Sequence, residues 1–339
     1  EPARTPARLR LSLLLPEGET PDIPPIGTRI MLTGHLGPPP PPAEPNGFDF
    51  RRHAWFEGLG AIGYSRSPIM VSAPAADGIG AAIGRWRMRL SAAIQTAIPG
   101  QAGAVASAVT TGDRSGIETA TNDIMRDSNL YHIVSISGLH MSMLAGFLYA
   151  VLRQGLVAMQ AAGLGPGLAV HKLAAALALV GAAGYLALSG GGPATERAFV
   201  MAAVMLGAVL LDRRALTMRS VALAALLVLG FRPETLVNAG FQMSFAAVVA
   251  LIAAYGALGR RLYSSGRWRW LAPALMLVFS SLVAGLATAP YAAAQFNRMA
   301  HYGLIANLLA VPVMGAVVMP AAVAMLLLAP LGLAEPART

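Results

Sequence analysis

The sequence predicts a polytopic α-helical membrane protein of about seven spans, some broken or re-entrant, preceded by a small all-β unit. Three observations carry that reading. Of the 339 residues 55% are hydrophobic and only 12% charged, with a mean hydropathy of +0.58, against about a quarter charged in ordinary soluble domains. The charge is uneven: residues 1–127 hold 12 Arg and 12 acids, whereas residues 128–339 hold 12 Arg, 1 Lys and 4 acids, so the whole net charge of +9 sits on the apolar part. Long charge-free runs begin only after Asp127, and about 20 apolar residues suffice to cross a bilayer as a helix. Basic charge on an apolar segment is first a membrane-orientation signal, and only second an affinity for nucleic acid.

Four regions follow: a β domain over 1–75, an amphipathic interfacial helix and linker over 76–127, a transmembrane domain over 128–334 and a truncated tail over 335–339. The chain opens Glu1-Pro2-Ala3-Arg4 with no Met and no signal peptide, and is read as an excised portion of a longer protein. It has no cysteine, which excludes disulfides, thiolate metal sites and a Cys nucleophile.

Residues 8–15 and 27–36 alternate polar and apolar side chains as half-buried strands do, with a turn at Pro16–Pro21 between them. Pro38–Pro42 is a polyproline run, and Asn46-Gly47 signals a turn. Short apolar pieces at 60–64 and 68–72 complete four or five strands, enough for a small barrel. From Ile79 to Ile98 the period becomes helical: Ile83, Trp86, Leu90, Ile94 and Ile98 form one stripe while Arg85, Arg87 and Arg89 point elsewhere. That pattern suits a helix lying at a membrane interface, and equally one packed on the β unit.

Seven candidate spans follow, at 133–152, 173–189, 195–211, 216–231, 235–258, 271–294 and 303–330. The fourth is the weakest, and Pro312, Pro320 and Pro330 should kink or break the last. If residues 1–127 lie outside the cytoplasm, Arg153, Lys172, Arg213, Arg214, Arg219, Arg260, Arg261, Arg267 and Arg269 fall inside, and Arg197, Arg232 and Arg298 outside. That ratio favours this orientation, and Trp268 and Trp270 fit an interfacial belt.

Within the first span Gly138, Ser142, Gly146 and Ala150 form a small-residue stripe for helix packing. His140 lies off that stripe, and a His at membrane depth is expensive unless it has a partner or lines a wet cavity. Ser137 and His140 could form a nucleophile and base, but no acid between Asp127 and Glu196 is available to orient the imidazole. The six His show no metal-binding spacing, and no cofactor motif occurs. Asn238 and Gln242 share one helix face, and Gln295, Asn297 and Asn307 follow. Such amides either cross-link helices or line an aqueous path. Glu196 and Arg197, just past Gly190-Gly191-Gly192-Pro193, are an opposite-charge pair near a membrane mouth.

The motifs Thr111-Gly112-Asp113-Arg114-Ser115-Gly116 and His132-Ile133-Val134-Ser135-Ile136-Ser137-Gly138-Leu139-His140 strongly resemble those of the ComEC family of DNA-uptake competence proteins. Pro193-Ala194-Thr195-Glu196-Arg197-Ala198, Asn238-Ala239-Gly240-Phe241-Gln242-Met243-Ser244-Phe245 and Ala306-Asn307-Leu308-Leu309-Ala310-Val311-Pro312 resemble its later signatures in order. Asn46-Gly47-Phe48-Asp49-Phe50-Arg51-Arg52 resembles the end of its extracytoplasmic OB-like domain. The resemblance covers residues 8–330.

It implies an inner-membrane channel passing single-stranded DNA into the cytoplasm, with single-stranded DNA and the lipid bilayer as partners. A homodimer and cytoplasmic DNA-processing or motor proteins are further partners it allows. Asp113, Arg114, Ser137, Gly138, His140, Glu196, Arg197, Asn238, Gln242 and Asn307 become the channel candidates. Of these, His140, Asn238 and Gln242 are expected to border the conduit. Phe48, Phe50, Arg51, Arg52 and Trp55 become candidates for binding DNA, since single strands bind OB-like folds through basic grooves with aromatic platforms. The alternative for that cluster is a core edge with a solvated face. Members often carry a C-terminal nuclease with a HxHxDH metal motif, and membrane helices before the barrel. This chain shows neither, so no enzymatic activity is expected. A small-solute transporter with a scaffold β domain is the alternative function, and an intramembrane hydrolase using Ser137 and His140 a third.

Overall fold

The structure is a computed structural model that describes residues 6–14, 23–45, 47–263, 271–296 and 302–328, with side chains to 257 and to 326 in the third and last of these. The turn at Pro16–Pro21, Asn46, Arg260, Arg261, Arg267, Trp268, Arg269, Trp270, Asn297, Arg298, Pro330 and the tail lie outside the described residues or side chains. The chain divides into two compact units, at Arg85.

In the first unit β1 (Leu9–Leu13), β2 (Arg29–Met31), β3 (Gly34–Gly37), α1 (Phe50–Phe56), β4 (Ala61–Ser65) and β5 (Met70–Ala73) follow in order. The sequence reading had one strand over 27–36, where the structure has two. One sheet runs β1-β4-β3, with β4 parallel to β1 and antiparallel to β3, and β2 pairs antiparallel with β5. Gly63 stands where β4 crosses His35 so closely that any Cβ would collide with the His35 carbonyl. Few side chains are buried: Ala54, Ala61 and Ser65 among the described residues. The Ser65 hydroxyl compensates by donating to the Thr33 carbonyl at 2.6 Å. Asp49 caps α1, a helix the sequence reading did not assign, by accepting from the backbone N–H groups of Arg51 and Arg52.

Helix α2 (Ile79–Ala97) contains the boundary between the units. Its later apolar positions Leu90 and Ile94 are buried with Leu188, against Ala106, Met325 and Leu326, so that half of the stripe faces other helices. The stretch read as linker holds α3 (Gln101–Thr111) and α4 (Thr119–Asp127). The Ala, Gly, Ser and Thr residues of α3 carry little periodic contrast, yet Gly103, Ala104, Ser107 and Ala108 are buried.

The remaining helices are α5 (Tyr131–Val134), α6 (Gly138–Ala161), α7 (Val170–Leu188), α8 (Pro193–Leu210), α9 (Met218–Phe231), α10 (Ala239–Tyr263), α11 (Ala272–Phe296), α12 (Gly303–Val313) and α13 (Met319–Leu328). Among the described residues six apolar segments are long enough to cross a membrane, α12 and α13 counting as one broken span. The protein is a multi-pass membrane protein. Two expectations change. The first span starts at Gly138 instead of 133, because Ser135–Ser137 breaks the helix. The fourth is the 14-residue α9, whose length of about 21 Å falls short of a hydrocarbon core of about 30 Å.

The core gathers Met141, Leu144 and Ala145 of α6, Ala175, Ala178, Ala182 and Tyr185 of α7, Ala198, Ala202 and Leu206 of α8, and Met314, Met319 and Val323. The buried small-residue seam is on α7, where Ala174, Ala178 and Ala182 are fully buried at helical spacing and let α6 and α8 approach closely. Gly138, Ser142, Gly146 and Ala150 of α6 are exposed instead. A second cluster joins α9 to α10 through Val221, Ala224, Val228, Phe241 and Phe245.

After Pro312 the last span passes through a π-helical segment, Met314–Val318. Its i→i+5 bonds bring residues five apart onto one face. Met314 and Met319, which an uninterrupted α-helix would place about 140° apart, therefore both enter the core.

Tyr185, 3% exposed, donates its hydroxyl to the Val109 carbonyl at 2.7 Å, tying α7 to α3. Tyr185→Phe leaves that carbonyl without its partner and should lower stability by about 1–2 kcal/mol. A thermal melt in detergent would show it, and an unchanged melting temperature would contradict the role given to this bond.

Candidate functional site

Four of the motifs separated in sequence meet at one end of the bundle, where α3, α7 and α9 finish and α6, α8 and α10 begin. Gly112 ends α3 in the left-handed conformation at φ +76°. A Cβ there would lie 2.7 Å from the Ser189 carbonyl and 3.4 Å from Ile136 Cδ1. The absence of a side chain is thus what allows the loop after α3, the α5–α6 corner and the α7–α8 loop to touch.

Asp113 follows, in a polar network. Ser91 Oγ donates to its Oδ2 at 2.5 Å, and the Ser115 backbone N–H to its Oδ1 at 3.1 Å. Ser91 in turn accepts from Gln95 Nε2 at 3.0 Å and pairs with Ser107 Oγ at 2.8 Å. Burial pushes the Asp113 carboxyl up, but the hydrogen bonds from Ser91 and Ser115, with the nearby Arg87 charge, outweigh it and hold the group below its ordinary range. The Arg87 guanidinium lies over Gly190, where any Cβ would strike it, and its buried Nε has no hydrogen-bond partner among the described residues. Arg114 is exposed and takes no part in the network.

At the α5–α6 corner the Ser137 backbone N–H donates to His140 Nδ1 at 3.1 Å, and Ser137 Oγ lies 3.0 Å from the same nitrogen. The pair forms a capping box at the start of α6. An accepting Nδ1 places the proton on Nε2, and that N–H is fully buried with no partner among the described residues. Imidazole and hydroxyl are close enough for a nucleophile–base pair, but no carboxylate orients the ring through Nε2. His140 therefore sits at a helix start instead of mid-span.

The third group surrounds the start of α8. Gly192 precedes Pro193 at the first helical position. Glu196 is gripped by Arg232 through Nε–Oε2 at 3.1 Å and Nη2–Oε1 at 3.3 Å, a two-pronged contact between planar groups. Arg197 is 7% exposed, and its Nε has no acceptor among the described residues. A Cβ on Gly240 would lie 2.7 Å from Arg197 Nη2 and 3.1 Å from Asn238 Oδ1, so glycine lets the α10 start close over the guanidinium. Asn238 Oδ1 accepts from the Gly240 N–H at 2.8 Å. Gln242 donates to the Leu236 carbonyl at 3.1 Å and accepts from Gln295 Nε2 at 2.9 Å, which cross-links α10 to α11.

A cavity of about 300 Å³ opens here, lined by Glu196, Arg197, Arg232, Thr235 and apolar side chains that include Phe199 and Phe231. Asn307, on α12, has a buried Oδ1 with no partner among the described residues and makes no described hydrogen bond to these groups. No three His, Asp or Glu side chains come together among the described residues. The site offers hydrogen-bond donors and guanidinium groups.

In the first unit Phe48 is 71% and Trp55 80% exposed, beside exposed Arg51 and Arg52. His53 lies 5.9 Å from the Phe48 ring and 6.0 Å from the Phe50 ring. The cluster is an open aromatic and basic surface on α1.

Sequence reasoning missed Arg87 and Ser91 as site residues, and saw Arg232 only as a topological charge. Ser91 and Gln95 left a signal, since they set polar groups at i and i+4 beside the buried pair Leu90 and Ile94. Nothing distinguishes Arg87 from Arg85 and Arg89.

The network sets a pH dependence. A carboxyl held below its unfolded value contributes stability above the unfolded pKa and loses it as pH falls through the folded one. Asp113→Asn should cost about 2 kcal/mol at pH 7 and should flatten the decline in melting temperature that the unaltered protein shows below about pH 4. Parallel declines in both proteins would remove Asp113 as its source.

The Competence protein family model matches residues 109–339, a span that begins beside Gly112 and takes in every group of this site except those on α2 and Ser107. ComE operon protein 3 of Bacillus subtilis (strain 168) is 27% identical over 304 residues, which are 89% of this chain and 36% of that relative. The chain thus spans little more than a third of the length of the curated relative it matches. No solved structure matches. With the family model covering well over half of its length, and the ordered motifs meeting at one end of the bundle, the chain belongs to the Competence protein, or ComEC, family.

Proposed function

We propose that this chain is the membrane portion of a competence DNA-uptake protein, forming a path for single-stranded DNA across the inner membrane, with residues 1–127 outside the cytoplasm. The observation that carries this reading is the meeting of four separated motifs at one end of an apolar bundle, where Asp113, Arg87, Glu196, Arg197 and Arg232 come together. A polyanion needs positive groups at the mouth and weak, multiple sites along the path. The basic excess on the membrane region supplies orientation and a receiving surface at Arg213 and Arg214. His140, Asn238 and Gln242 serve this path by fixing the helix ends around the mouth. The aromatic and basic surface on α1 suits stacking of bases with phosphates on Arg51 and Arg52.

The broken last span and the short α9 also fit a small-solute transporter. A strain lacking the protein should lose transformation while growth and solute uptake stay normal; the opposite pattern would select the transporter. For the chain itself, replacing Phe48 and Trp55 together by Ala should weaken oligonucleotide binding about tenfold or more, since each stacked base contributes about 1–3 kcal/mol. Replacing Arg51 and Arg52 should lower the slope of log affinity against log salt by about two. Fluorescence anisotropy reads both, and unchanged affinity in each variant would remove α1 from the DNA surface.

A further inference from the structure

We infer that the cavity beside α8 is a phosphodiester-binding subsite in which Arg197 contacts one phosphate of the passing strand and Glu196 competes with that phosphate for the guanidinium. The inference rests on the channel reading and assigns a ligand to one place within it.

The charges at the cavity do not balance. Arg197 and Arg232 both line it, and Glu196 is the only carboxylate among its lining residues. Arg232 holds both carboxylate oxygens, at 3.1 and 3.3 Å. Arg197 is left 93% buried, with an Nε–H that has no acceptor among the described residues. A buried guanidinium with an unfilled donor is an expensive arrangement. Arg197 lines the cavity, where an anion would pair with the guanidinium charge.

The backbone adds to this field, because the first turn of the 18-residue α8 points its free N–H groups toward the same end. The walls narrow the choice of anion. Phe199 and Phe231 line the cavity with Val200, Val228, Leu186 and Pro193, so the site joins one cationic group to an apolar, aromatic surface. A phosphate with its attached sugar and base matches that pairing. A volume of about 300 Å³ lies at the low end for small-molecule sites and is too small for a two-chain lipid.

The arrangement also explains how such a site can release what it binds. Glu196 adjoins Arg197 in sequence and can exchange between the two guanidinium groups, so a departing phosphate is replaced by a carboxylate already in place. Conduction requires binding of this weak, replaceable kind.

The test uses the full chain in detergent micelles, a fluorescein-labelled oligothymidylate of 12 nucleotides and a sodium chloride series. Arg197→Gln should weaken binding at least tenfold and reduce the salt slope by about one. Glu196→Gln, which removes the competing carboxylate at constant size, should tighten binding several-fold. Inorganic phosphate should compete with the oligonucleotide for the unaltered chain and much less for Arg197→Gln.

Affinity and slope unchanged in Arg197→Gln would overturn the subsite while leaving the channel reading intact. If a thermal melt shows that this variant does not fold, Glu196→Gln decides alone, and unchanged or weaker binding overturns the proposal. A phosphatidylglycerol titration in which Arg197 governs lipid affinity but not oligonucleotide affinity would make the cavity a lipid site, which also overturns it. No oligonucleotide binding by the unaltered chain, with transformation unaffected in the deletion strain, would remove the channel reading together with the subsite.

Discussion

Polar groups in an apolar bundle have to be satisfied by the chain itself, because hydrocarbon supplies no hydrogen bonds. In this protein that constraint concentrates at one end, where six helices start or stop. Two charged clusters meet across the short loop at Ser189–Pro193: Arg87 lies over Gly190 and acts on Asp113, while Glu196, one turn into α8, pairs with Arg232. Neither cluster is a large source of stability, since its charged groups are only partly buried and solvent screens them. Removing one partner is different, because it leaves an orphan donor or acceptor at a cost of about 1–3 kcal/mol. The glycines at 112, 190 and 240 belong to the same design, each standing where a Cβ would push a polar group out of place.

The membrane helices were largely legible because hydrocarbon imposes a long, charge-free run that few other structures need. For α7, α8 and α11 the expected and observed bounds agree within about three residues. The errors have physical causes. Ile133, Val134 and Ile136 made the first span look continuous, but Ser135 and Ser137 interrupt it and the latter caps α6. Helix α10 starts after a 3-10 turn at Pro233–Val237, since Asn238 is occupied as its cap. The buried seam of α7 is spelled in alanine, and the exposed stripe of α6 in the same small residues. Composition alone could not say which one faces the core.

The site was legible in pieces but not as an assembly. Each motif could be read from its own residues, yet Glu196 is paired with Arg232, Asp113 with Ser91, and Gly112 is packed on Ser189. These contacts join positions tens of residues apart, on helices whose rotation no local pattern fixes. Family likeness ordered the motifs along the chain. Only the packing of small residues in α3 and α7 shows why they share one end.

The π-helical segment after Pro312 has a consequence for chain length. By bringing Met314 and Met319 onto one face, it absorbs one residue more than an α-helical turn would use, without rotating α13 away from the core. Position along the chain is thereby separated from angular phase. A relative shorter by a single residue at this point would keep the same two side chains buried at a spacing of four, and would align with this sequence through one gap. An insertion that would turn the exposed face of an ordinary membrane helix inward is confined here to a single widened turn.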